Sequence, residues 1–298
     1  MKATYKILIL LCTCLMVIPL HAQENFSSDT TSCVPVRTVS EDSLAFQAGE
    51  VMKFVLHYRW VGINTDVGTA TVRLDTLTFN GEDAFCCSVS GKTTKMFDLF
   101  FKVREDFKSW FTRDGLRPLK FTRDTYEGGY EARNTYLYDW TLPDPHIDAD
   151  LYSSKKGQHS MELPLTPCTF DLPTLFFFAR NMDIDNVEPG RRYPMTFAID
   201  DDIFNVYFIL YGRETIKVKG LGTVKAIRFA AKLLEGEVFK GEEDMTIWIS
   251  DDENRLPVYF EAPLRVGLAA GRMTGYSGLK YPFDSLIYTK KKDNGKEK

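Results

Sequence analysis

The sequence predicts an all-β fold: a single domain built as a curved antiparallel sheet or incomplete β-barrel, with one short apolar helix. Three observations carry that prediction. From Gly49 onward, apolar residues recur at alternate positions over most of the chain, the period of strands with one buried and one wet face. Tight-turn residues separate these runs at short spacing, as an all-β fold requires. One segment, Asp171 to Met182, departs from the period.

The first run is Val51 to Val61, where Met52, Phe54, Leu56, Tyr58 and Trp60 share one face while Lys53, His57 and Arg59 take the other. Gly62-Ile63-Asn64 turns the chain into Val67 to Leu77, and Asn80-Gly81 is a hairpin signal before Ala84 to Gly91. Phe101 to Phe111, Leu119 to Tyr126 and Tyr130 to Trp140 follow, separated by Arg113-Asp114-Gly115 and Gly128-Gly129, so the segment reads as a β-meander. Pro143 to Ser154, with its Pro, Asp and His, reads as a loop. Asp171 offers a capping side chain, and Pro173 fits the first helical turn. Leu175 to Ala179 then continues a helix that is apolar nearly all round, hence core-filling or lid-like. Strands are expected again at Tyr193 to Ile199, Ile203 to Tyr211, Arg213 to Lys219, Gly222 to Leu233, Met245 to Ser250, Pro257 to Glu261 and Val266 to Tyr276. No fixed-period repeat or internal linker is visible.

The ends read differently. Lys2 and Lys6 precede an apolar run from Ile7 to Ile18, and Ala22 provides a small residue before Gln23. That is the layout of a cleavable signal peptide over residues 1–22, too short in its apolar part to span a bilayer stably. Neither Cys12 nor Cys14 follows a small residue, which argues against a lipid anchor. Residues 23–47 are rich in Ser, Thr and Asp and are expected to be poorly ordered. The β domain is assigned to residues 48–289, and residues 290–298 form a charged tail. A periplasmic or secreted location follows.

Composition narrows the function classes. The chain of 298 residues has 37 Lys and Arg against 41 Asp and Glu, with no basic block outside the tail, so nucleic acid is not an expected partner. No later apolar run reaches membrane-helix length. The charged phase of Lys102, Arg104, Asp106 and Lys108 argues against a lipid-facing barrel. Four cysteines lie beyond the signal segment: Cys33, Cys86, Cys87 and Cys168. Adjacent Cys86 and Cys87 point to opposite strand faces and do not favour a vicinal bridge. A bridge from Cys33 or Cys168 to Cys86, or four free thiols, are the alternatives left open.

Catalytic and metal signatures are lacking. His57, His146 and His159 are far apart in sequence without ligand spacing, so any metal site would need carboxylate partners that no motif advertises; no metal and no cofactor are expected. Gly275-Tyr276-Ser277-Gly278 lacks the helix that a nucleophile elbow needs. The acidic runs Asp200-Asp201-Asp202, Glu242-Glu243-Asp244 and Asp251-Asp252-Glu253 lack calcium-loop spacing and read as turns.

Charges on the apolar phase are more informative. Glu105 shares a face with Phe101, Val103 and Phe107. Arg123 shares one with Leu119 and Phe121, and Asn134 one with Tyr130, Ala132, Tyr136 and Tyr138. A buried charge must be paired or wetted, so Glu105 and Arg123 are expected to meet on the concave face with Asn134 nearby. Such a group is either a structural ion pair or a polar anchor in an aromatic ligand cavity. Leu172, Leu175, Phe176 and Phe178 would close the mouth of that cavity. The candidate ligand-binding residues are therefore Glu105, Arg123, Asn134, Phe176 and Phe178.

Several motifs point to a family. Arg117-Pro118-Leu119-Lys120-Phe121, Tyr126-Glu127-Gly128-Gly129-Tyr130 and the Asp171 to Arg180 helix are three of them. Gly222 to Phe229, Trp248-Ile249-Ser250-Asp251-Asp252, Arg255-Leu256-Pro257-Val258 and Gly267 complete the set. Together they resemble the secreted bacterial domain-of-unknown-function family 3108 over about residues 49 to 276. The resemblance implies no activity and no catalytic residues. More loosely, the chain is similar to periplasmic half-barrel lipoprotein carriers, whose curved sheet and helical lid hold acyl chains. The expected function is an uncharacterised envelope protein, more fitted to binding than to catalysis, that holds an apolar or lipid-like ligand in a cavity of the sheet. The alternatives are a structural or assembly protein that binds envelope proteins and, last, a glycan hydrolase.

Overall fold

The computed structural model describes residues 40–231, 245–264 and 266–287. Residues 1–22, most of 23–47 and the tail lie outside them. A meander runs through β1 (Val51–Trp60), β2 (Ile63–Phe79), β3 (Glu82–Thr93), β4 (Val103–Thr112), β5 (Pro118–Glu127), β6 (Tyr130–Asp139), β7 (His146–Ser153) and β8 (Gly157–Pro164). A four-residue helix α1 (Lys95–Asp98) sits between β3 and β4. The second half comprises β9 (Thr169–Phe170), α2 (Leu172–Ala179), β10 (Arg192–Ile199), β11 (Asp202–Val218), β12 (Gly222–Ala231), β13 (Met245–Ser250), β14 (Pro257–Pro263), β15 (Leu268–Ser277) and β16 (Leu286–Ile287).

All strands belong to one sheet, ordered β8-β7-β6-β5-β4-β3-β2-β1-β15-β14-β13-β12-β11-β10-β9, with β16 paired to β12. Every pairing is antiparallel except that of β9 with β10. The topology itself imposes curvature. Laid flat at roughly 4.8 Å per strand, the edges β8 and β9 would stand about 67 Å apart. Only residues 165–168 join those edges in the chain, a reach on the order of 17 Å. The sheet must therefore curl almost into a barrel. Register shifts at Lys53/Phe54, Leu56/His57, Trp110/Phe111, Leu210/Gly212 and Trp248/Ile249 supply local bends. Backbone pairing leaves the barrel unclosed.

Aromatic rings fill the interior. Phe46, Phe85, Phe111 and Phe177 pack in one cluster with centroid separations of 4.7–5.7 Å, joined by Leu44, Met52, Leu74, Phe208 and Phe229. A second cluster places Ala198 against Phe121, Tyr136, Ile147 and Leu151, so the tip of the β10–β11 hairpin lies on the concave face of β5 to β8.

The fold corrects several expectations. Pro143 to Ser154 is largely strand β7, and β8 follows it. Ile147, Ala149 and Leu151 do alternate inward, but Asp148 and Asp150 on the wet phase masked the pattern. β11 runs unbroken through Gly212, because the bulge there absorbs the irregularity read as a turn. Leu44, Ala45 and Phe46, placed in the poorly ordered segment, are buried in the core. The helix ends at Ala179, after which Arg180 and Asn181 turn into the interior. Lys232 and Leu233, assigned to the strand from Gly222, lie outside the described residues, as does Glu242-Glu243-Asp244. Cys168 is disulfide-bonded, whereas Cys86 and Cys87 are free and buried. Neither open alternative holds, because Cys86 takes no part in a bridge and the partner of Cys168 lies outside the described residues.

Helix α2 is pinned by polar groups at both ends. Its N-cap Asp171 accepts from Thr174 N at 2.8 Å and from Ser109 Oγ at 2.8 Å. Full burial still raises this carboxyl to about 7. Beyond its C-terminus, Arg180 forms a buried two-pronged pair with Glu50 of the segment leading into β1 and donates to the Asn254 and Ala45 carbonyls. Its guanidinium lies over the Phe46 and Phe177 rings at 5.3 and 5.4 Å. These polar groups hold the helix against β3, β4 and β10.

Candidate functional site

The structure brings Glu105, Arg123 and Asn134 together on the concave face, as their strand parity predicts, and all three are buried. Their connection differs from the expected direct pair. Arg123 Nε donates to Thr125 Oγ1 at 2.9 Å, and Thr125 Oγ1 donates to Glu105 Oε2 at 2.6 Å. The ion-pair partner of Arg123 is Asp200, with Nη1 to Oδ1 at 2.9 Å. Asn134 Nδ2 also reaches Asp200 Oδ1 at 3.3 Å, and Tyr136 Oη donates to the Asp200 carbonyl at 3.0 Å. Asp200 occupies the two-residue turn between β10 and β11 at φ 51°, a left-handed position that Asp tolerates. The acidic run read as a turn is one, and it also supplies the counter-charge for Arg123 on the opposite arm of the sheet.

Glu127 completes the cluster and was not foreseen. It shares the parity of Arg123 and Thr125 on β5, which was the available signal. Burial, and then the neighbouring Glu105, push its carboxyl up to about 9, and Glu105 is raised by burial as well. The two carboxyls are neighbours, and each shifts the ionisation of the other. Glu105 Oε1 and Glu127 Oε1 are buried without a hydrogen-bond partner among the described residues. Asp200 is raised by burial against the opposing charge of Arg123. Arg123 Nη2 is left without an acceptor among the described residues.

Phe176 and Phe178 do not join this group. Helix α2 packs on the Ser109 end of β4; Glu105 lies four residues away, about 13 Å along the strand. Phe178 is buried against Phe170 at 4.4 Å, Phe176 is half-buried, and Phe177 points deepest into the core. A helix that is apolar all round offers no sequence signal for which ring turns inward.

A second feature lies on the other face. A trough of about 790 Å³ crosses β2 to β8, lined chiefly by the wet phase of those strands. Register aligns this lining in two cross-strand rows. One reads Thr71, Ser90, Asp106, Asp124, Arg133, Tyr152, Gln158; the other reads Arg73, Ser88, Lys108, Thr122, Thr135, Asp150. Asp106 and Asp124 stand directly opposite each other, an arrangement that weakens a strand pair. Arg133 flanks Asp124 and lies over the Tyr152 ring at 4.9 Å. Among the described residues, His146, Asp148 and Glu162 place ligand atoms within 4.8 Å of one another on the exposed phase of β7 and β8. These are carboxylate partners that no spacing advertised, since Glu162 arrives by strand pairing.

Across residues 53–274 the chain matches a family described as protein of unknown function (DUF3108). The chain belongs to that family. No curated protein matches it. Among solved structures, a beta-barrel-like protein of domain of unknown function DUF1849 from Brucella abortus aligns at TM-score 0.50 and 11% identity, covering 79% of this chain and 100% of that one. A Bacteroides fragilis protein with a YmcC-like fold aligns at TM-score 0.34 and 7% identity, over 82% of this chain and all of that one. For this DUF3108 member, the Brucella likeness supports the barrel-like fold alone. No helix among the described residues is long and apolar enough to cross a membrane.

Proposed function

We propose that this DUF3108 chain is an exported, non-enzymatic binding protein of the cell envelope that holds a hydroxyl-rich glycan segment in the trough across β2 to β8. Export rests on the signal-peptide pattern of residues 1–22. The observation that carries the ligand is the Asp106–Asp124 opposition. Two like charges facing each other across an exposed strand pair do nothing for the fold, yet two carboxylates accept several hydroxyl hydrogen bonds at once. Arg73, Arg133, Ser88 and Ser90 add donors and acceptors, and Tyr152 adds an aromatic face. The filled interior acts as the rigid support that keeps such a surface in shape.

The test is co-sedimentation with purified envelope glycan. The Asp106→Asn, Asp124→Asn double variant is expected to lose glycan binding by about tenfold or more while melting at the same or a higher temperature, since the repulsion is gone. Undiminished binding with both amides in place overturns the reading. Binding to peptides but not to glycan moves the trough to a protein partner.

The earlier expectation, an apolar or lipid-like ligand inside the sheet, retains one supporting observation. Among the described residues Arg123 Nη2 lacks an acceptor, and half-buried Val89 and Phe107 stand nearby on the same face. A bound lipid extracted from purified protein and absent from an Arg123→Met variant would favour it over the trough.

A further inference from the structure

We propose that the end of the sheet carrying the β1–β2 turn and α1 is a docking tip for anionic phospholipid bilayers. The proposal is independent of the trough, which lies on a face of the sheet rather than at its end.

Large apolar side chains are exposed here in two adjacent connections. Val61 is 87% exposed and is flanked by Trp60 and Ile63, each more than a third exposed. On α1 and the residues just after it, Met96, Leu99 and Phe100 are 61%, 82% and 67% exposed. Met96 lies on α1, and Leu99 and Phe100 follow it in the turn that closes the helix. Both connections lie toward the same end of the sheet. β3 ends where Gly68 pairs with Thr93 and Thr94 N donates to the Val67 carbonyl at 2.9 Å. β1 and β2 run on about five residues further to their turn, with Phe97 of α1 packed on Tyr58 and Val67 of that extension.

The helix is fixed in this orientation. Phe97 is its inward anchor, buried with Tyr58, Val67, Leu264 and Ala269. Thr94 caps the N-terminus. Asp98 is held by Arg104 through two hydrogen bonds of 2.6 and 3.0 Å. The outward apolar face is therefore a built feature of the fold.

Charge identifies the occupant. Lys92, Lys95 and Lys102 are exposed around the apolar residues. Three acids at this end are engaged within the protein: Asp98 with Arg104, Asp66 with Arg272 and His57, and Glu261 with Arg59. The cores of protein interfaces are depleted in lysine. Apolar tips ringed by lysines, with a tryptophan at the margin, match the depth profile of a bilayer surface with anionic headgroups. The protruding turn and single helical turn also suit insertion between headgroups better than docking on a flat partner.

The experiment is sedimentation of the purified protein with phosphatidylcholine vesicles containing about a quarter phosphatidylglycerol, compared with phosphatidylcholine alone. Binding to the anionic vesicles is expected. Leu99→Asp with Phe100→Asp should lower the partition coefficient by about tenfold or more. Lys92→Glu, Lys95→Glu and Lys102→Glu together should remove the preference for anionic lipid. Because these side chains are exposed, each variant should melt within a few degrees of the parent, and glycan co-sedimentation should be unchanged. Absent vesicle binding, or binding insensitive to the aspartates, overturns the proposal. If the aspartates instead abolish self-association in sedimentation velocity, the tip is a protein interface.

Discussion

Glu127 is a carboxylic acid held neutral at pH 7 inside the protein, because burial and Glu105 both oppose its ionisation. Its folded pKa of about 9 lies above its ordinary value of 4.5, so the folded state binds the proton more tightly than the unfolded chain. The resulting stabilisation is complete below about pH 4.5 and is lost as pH rises through about 9. The Glu127→Gln variant keeps a donor toward Glu105 and cannot ionise. Its melting temperature should therefore fall less than that of the parent between pH 6 and pH 9; parallel curves would refute the raised Glu127 pKa. Glu105, Arg123 and Asn134 were legible because strand parity assigns a face to every residue of a regular run. Asp200 was not, since only tertiary packing decides where a turn residue reaches. Glu127 was legible in principle by the same parity, but as the last residue of β5 beside the Gly128-Gly129 turn it stands where strand alternation no longer assigns a face.

Among the elements, α2 shows how position outweighs composition. Phe176, Phe177 and Phe178 are chemically identical and adjacent, yet only Phe177 contacts Phe46 and Phe111 in the deepest part of the core. Phe177→Ala should cost about 3–5 kcal/mol, and Phe176→Ala clearly less, read as urea midpoints with unchanged slope. Equal losses would mean that the helix is rotated from the described orientation. The helix was legible from Asp171 and Pro173 at its start and from its break in period. Its inward side was not, because an apolar ring faces every direction. β7 and β8 were missed for the opposite reason: aspartates on the outer phase and a nearby Pro-rich turn resemble loop composition, although the inner phase kept its alternation.

At the scale of the whole molecule, the curled sheet is held shut by side chains where backbone pairing stops. Arg123 on β5 and Asp200 on the β10–β11 turn bridge its two arms, and Lys156 with Asp201 adds an exposed contact beside them. Asp200→Ala should raise amide hydrogen exchange in the β10–β11 turn and in β7 and β8, while β1 to β3 stay protected. Uniform loosening would instead make the pair a global support. The all-β class and the curvature were legible from period and turns, but the pairing of the first strand with the fifteenth was not, because no local pattern encodes a partner some 200 residues away.

That pairing also orders events in time. Along the sheet path, every neighbouring pair except β1 with β15 is consecutive in the chain. Apart from the parallel β9–β10 pair, each arm can therefore zip hairpin by hairpin at small loop-closure entropy. The join of Val51 with Ser277 must bring together residues from opposite ends of the domain, the kind of contact that slows folding. Apart from β16, which pairs back onto β12, assembly reduces to two local zippers and one distant registration, and the fate of the whole sheet depends on whether that seam finds its register.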